Sequence, residues 1–81
     1  MSKQLLDFPT VRQAHGISRD QIAEASNVRP LHEYLFEQGR PIDSAMQGRI
    51  VHALSLLCGH HYSLTDFQQC VRPPTQEKGR R

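Results

Sequence analysis

The chain predicts an all-α domain, and three observations carry that expectation. Helix-starting and helix-ending residues recur along it, and the apolar residues between them fall at three- and four-residue spacing. No stretch alternates with period two for long enough to argue for a strand. The first helix is short, about Phe8 to Ala14. Asp7 is placed to cap it, Pro9 is tolerated in its first turn, and Gly16 supplies a left-handed exit. Phe8, Val11 and Ala14 fall on one side. The second start is stronger: Ser18 and Gln21 form a capping box, and Ile17 with Ile22 makes the matching hydrophobic staple. That helix runs to about Ser26, burying Ile22, Ala23 and Ser26, and Asn27 tolerates the turn that ends it. Pro30 suits the first position of the third helix, which ends at Gly39. The fourth begins at Asp43 or Ser44, gathers Met46, Ile50, Ala53, Leu54 and Leu57 on one apolar face, and stops at Gly59. A final short helix is expected from Ser63, stapled by Tyr62 and Phe67 and stopping before Pro73. The expectation is five helices and no sheet.

Eighty-one residues make one small domain with a single core. The ordered part is expected to span 7–72, after a frayed lead-in at 1–6. Residues 73–81, PPTQEKGRR, read as a disordered basic tail. The net charge of +2 permits contact with nucleic acid without demanding it. No apolar run approaches the length of a membrane span, and the N-terminus lacks a signal peptide's apolar stretch. A cytoplasmic location is therefore expected, with Cys58 and Cys70 reduced rather than paired.

Two short helices joined at Asn27, within a five-helix domain of this size, resemble the Cro/phage-repressor class of helix-turn-helix proteins, the lambda-repressor-like family. The resemblance covers roughly Phe8 to Phe67. It rests on Val11-Arg12, Gly16-Ile17-Ser18, Ile22-Ala23, Val28, Phe36-Glu37, Gly39-Arg40 with Pro41, then Ile50, Ala53, Leu54 and Ser63–Phe67. Independently of the family, Ala23 has the small side chain that a close crossing of two helices requires. Glu37 lies near the end of its helix, where a carboxylate is unfavourable unless a cation compensates. The resemblance implies that the cation is Arg12, in a structural ion pair; the alternative is two exposed charges.

The resemblance implies that the third helix enters the major groove of double-stranded DNA. With Phe36 and Glu37 inward, Arg29, Pro30, Leu31, Tyr34 and Leu35 face outward, and Glu33 falls where the family expects an aliphatic core residue. Of these outward residues, only Arg29 offers the paired donors that match purine edges. Two arrangements are open. In one, the helix is rotated so that Val28, Leu31 and Leu35 form its buried stripe, leaving Phe36 peripheral and Glu33, His32 or Arg29 toward a ligand. In the other, the family register holds, and Leu31, Tyr34 and Leu35 form an exposed apolar patch better suited to a protein than to DNA. Phosphate contacts are expected from Arg19, Arg29 and Arg40, with Lys78, Arg80 and Arg81 in the tail. Gln21, Leu31, His32 and Leu35 complete the candidate DNA-binding set.

Cys58, His60, His61 and Cys70 invite a metal, but the spacing fits no strong zinc pattern and none is expected. No paired carboxylates fall in a credible pocket, and the sequence has no nucleophile elbow or phosphate-binding loop, so neither an enzyme nor a cofactor is expected. The first expectation is a sequence-specific DNA-binding regulator acting as a homodimer on two half-sites. The alternative is a protein-interaction module whose third helix presents Leu31, Tyr34 and Leu35.

Overall fold

Local chemistry decides where each helix begins and ends. In the computed structural model, which describes residues 4–70, the chain forms α1 (Phe8–Ala14), α2 (Arg19–Ser26), α3 (Pro30–Glu37) and α4 (Ser44–Cys58). At the head of α2 the Ser18 hydroxyl accepts the Gln21 amide at 3.1 Å, while the Gln21 side chain accepts the Ser18 amide at 2.8 Å. At its foot Asn27 adopts φ 58°, and the Val28 amide returns to the Ala23 carbonyl at 3.1 Å. This left-handed closure satisfies carbonyls that the helix end would orphan and turns the chain sharply into α3. Gly39 ends α3 the same way, with the Arg40 amide donating to the Leu35 carbonyl at 3.0 Å.

The core gathers Phe8, Ile17, Ile22, Phe36, Ile50, Val51, Leu54 and Phe67. Helix α2 lies at its centre, packed against both α3 and α4. The Phe8 ring meets Phe36 edge-on at 5.0 Å and Phe67 at 5.3 Å, so α1, α3 and the end of the described chain share one aromatic joint.

Several expected details change. Ala14 is exposed, and Arg12 is buried instead. Leu57 is exposed, and Val51 takes its place, because the buried stripe of α4 runs through Gln47, Ile50, Val51 and Leu54. Asp7 occupies the cap position of α1 without capping it. Its carboxylate instead accepts the Thr10 hydroxyl at 2.7 Å and the Gln68 and Gln69 side-chain amides at 3.0 and 2.9 Å. The Thr10 bond leads in holding the Asp7 carboxyl below its usual range, and the two glutamine amides add to it against the opposing effect of burial.

The fifth helix is reduced to a single 3-10 turn, Leu64–Asp66. The Ser63 amide does donate to the Asp66 carboxylate at 2.8 Å, as a helix start should. Phe67 then goes extended, because the backbone on either side of it is engaged elsewhere. The Leu6 amide donates to the Asp66 carbonyl at 2.8 Å, and the Gln68 amide to the Leu6 carbonyl at 2.9 Å, an isolated parallel bridge. Leu6, at the end of the expected lead-in, is thereby tied down. Next to it, the Phe8 amide donates to the Gln69 side chain at 3.0 Å. The expected basic tail at 73–81 lies outside the described residues.

Candidate nucleic-acid interface

The orientation of α3 is the decisive geometry. Phe36 and Glu37 point inward and are buried, and Glu33 on the same side is completely so. Leu31 is 62% exposed and Tyr34 44% exposed, so the rotated arrangement, with Leu31 in the core and Phe36 peripheral, is overturned. The reason is packing. Phe36 fills the space against Phe8, a place in the core that Leu31, on the opposite side of the helix, does not reach.

A buried ion pair fixes that orientation. The Arg12 Nε donates to Glu37 Oε2 at 2.7 Å and its Nη2 to Oε1 at 3.3 Å, while Nη1 donates to the Ile17 carbonyl at 2.8 Å. One guanidinium thus ties α1, the turn before α2 and the end of α3 together. Arginine suits this because its planar fork can meet both carboxylate oxygens and still spare a donor.

Arg19 in the first turn of α2, Arg29 at the head of α3 and Arg40 just past its end are all exposed, as are the α2 carboxylates Asp20 and Glu24. The Arg19 guanidinium sits over the Tyr34 ring at 5.3 Å, a cation–π contact that links the two helices across their outer edge. Sequence reading treated these two residues separately. The helices must be docked before positions 15 apart can meet, and no local pattern signals it. Both carboxylates of α3 are turned inward, so this helix contributes no exposed negative charge to the face.

The other candidates are placed less favourably. Gln21 is exposed, but its side-chain carbonyl is committed to the Ser18 amide. The Gln21 backbone amide, one of those available to an anion at the head of α2, is taken by the Ser18 hydroxyl. His32 is half-buried, with an Nδ1 that is enclosed and meets no partner, and Leu35 is half-buried beside it. The apolar patch is therefore chiefly Leu31 and Tyr34. Lys78, Arg80 and Arg81 lie outside the described residues.

The cysteines and histidines do not converge. The His60 ring packs at a tilt against Tyr62, 4.6 Å between centroids, and Cys58 Sγ turns back toward the Ser55 and His60 carbonyls. Cys70 packs against the core, and burial pushes its thiol up to about 11. Among the described residues no three His, Cys, Asp or Glu side chains are grouped to hold a metal ion, and no helix is long and apolar enough to cross a membrane. No protein-family model, curated protein or solved structure matches the chain.

Proposed function

We propose that the chain is a small DNA-binding regulator of the helix-turn-helix kind, on a lambda-repressor-like plan whose fifth helix is cut to one turn. The observation that carries this reading is the charge layout of the outer face. Arg19, Arg29 and Arg40 are exposed around α3, while Glu33 and Glu37 are withdrawn into the interior. Such a face attracts a phosphate backbone and meets no carboxylate of α3 to repel it. Base reading is the minor part, because Leu31 and the half-buried Leu35 offer only apolar contact, of the kind thymine methyl groups accept. A homodimer would place two such faces on half-sites about one DNA turn apart.

Three phosphate contacts per protomer imply a salt slope of about −2.7, or about a forty-fold loss of affinity per protomer between 50 and 200 mM salt. Fluorescence anisotropy with a labelled duplex measures it. Arg40→Ala should weaken binding to every sequence alike and lower the slope by about one. Absence of duplex binding at low salt ends this reading.

One observation favours a second reading. A leucine 62% exposed beside a tyrosine 44% exposed is a protein-docking feature. Under it, Leu31→Glu abolishes self-association or partner capture in sedimentation experiments while stability changes by no more than about 0.5 kcal/mol, as for other surface changes. Unchanged association in that variant rules the docking face out.

A further inference from the structure

Glu33 is 0% exposed, and neither of its carboxyl oxygens has a hydrogen-bond partner. An ionised carboxylate in such a place is strongly disfavoured. One turn further along the same face lies Glu37, also buried and already gripped by Arg12. The site thus holds two carboxyl groups and one committed guanidinium. The charged groups acting on Glu33 are Glu37 on its own helix, Arg12 from α1 and, most weakly, Arg19 from α2.

Two carboxylates have no proton to share and repel each other. A single proton on Glu33 converts that repulsion into an O–H···O⁻ hydrogen bond to Glu37 and leaves the buried group of three with no net charge. We propose that Glu33 is a neutral carboxylic acid in the folded protein near neutral pH, donating to Glu37, and that loss of this proton to hydroxide unseats α3. Burial first, then the hydrogen bond and negative charge of Glu37, push Glu33 up to about 9, against the weaker opposing pull of Arg12 and Arg19. The device lies beneath Leu31 and Tyr34, and it stands whether their face meets DNA or protein. It makes the seating of that face sensitive to alkaline pH.

The direction follows from proton counting. In the unfolded chain Glu33 ionises near its ordinary value of 4.5, and in the folded chain near 9. Between those limits the folded state binds one proton more than the unfolded state. The folding constant therefore falls by up to about tenfold per pH unit as pH rises, and flattens above about 9. The stabilisation is complete below about 4.5 and gone above about 9.

Chemical denaturation of the full chain and of Glu33→Gln between about pH 5 and 9 tests this. Glutamine keeps a neutral donor toward Glu37 and cannot ionise. The variant should lose the downward slope and overtake the wild type in stability as pH rises. Carbon-13 NMR of glutamate carboxyls in the wild type gives a readout that needs no variant to fold: one carboxyl should stay protonated through neutral pH. Parallel pH profiles overturn the proposal, as does a wild type in which every glutamate has ionised by about pH 6.

Discussion

Arg12→Ala is expected to cost about 3–5 kcal/mol, measured by urea unfolding at neutral pH. The loss comes less from the pair itself than from what remains. Glu37 would stay buried beside Glu33 with no cation to balance it, and the Ile17 carbonyl would lose its donor. Domains of this kind have only about 5–15 kcal/mol in total, so the variant should be partly unfolded at modest temperature. Arg12→Lys should recover little, since one ammonium cannot span both Glu37 oxygens and reach the carbonyl as well. Replacing both members, as in Arg12→Met with Glu37→Met, should cost much less than Arg12→Ala, because no charge is stranded. A loss below about 1 kcal/mol for Arg12→Ala would place the pair with ordinary surface salt bridges instead.

Phe8→Ala is expected to be similarly severe, about 3–5 kcal/mol, checked by thermal unfolding with the near-ultraviolet aromatic signal as a second probe. Phe8 is completely buried and touches Phe36 and Phe67 at once, and the Tyr62 ring continues the series 5.4 Å beyond Phe67. Removing it opens a cavity where α1, α3 and the end of the described chain meet. Phe8→Ala combined with Phe67→Ala should cost less than the sum of the two, because each already spoils the same joint. Strict additivity would show that the rings contribute separately.

The parts of the fold that were legible in the sequence are those with short-range causes. The Ser18–Gln21 box, Asn27 and Gly39 each act within a few residues of themselves, and the helix ends fall where those residues put them. Arg12 with Glu37 was readable only through a resemblance, because nothing local links positions 25 apart. Spacing alone misassigned Leu57, which shares the helical phase of Ile50 and Leu54 but lies in the last turn of α4 and is exposed there. The last helix failed for a different reason. Its start is present at Ser63, but Leu6 competes for the backbone that would have continued it. In the candidate site, helical phase placed Leu31 and Tyr34 outward once Phe36 was taken as core. The contact of Arg19 with Tyr34 and the full burial of Glu33 depend on how α2 and α3 dock, which single-residue patterns do not encode.

The link between Leu6–Phe8 and Asp66–Gln69 bears on how the molecule comes into being. The hydrogen bonds of the four helices are local and can form fleetingly as soon as their residues exist, but helices this short persist only once packed. The hydrogen bond from Phe8 to Gln69 spans 61 positions, and closing so long a loop carries an entropic cost that only the completed joint offsets. Phe8 is synthesised well before Phe67, the ring that completes its cover. Until that later segment is made, Phe8 lacks one of the two rings that enclose it, so the joint can close only when residues near both ends of the described chain are present.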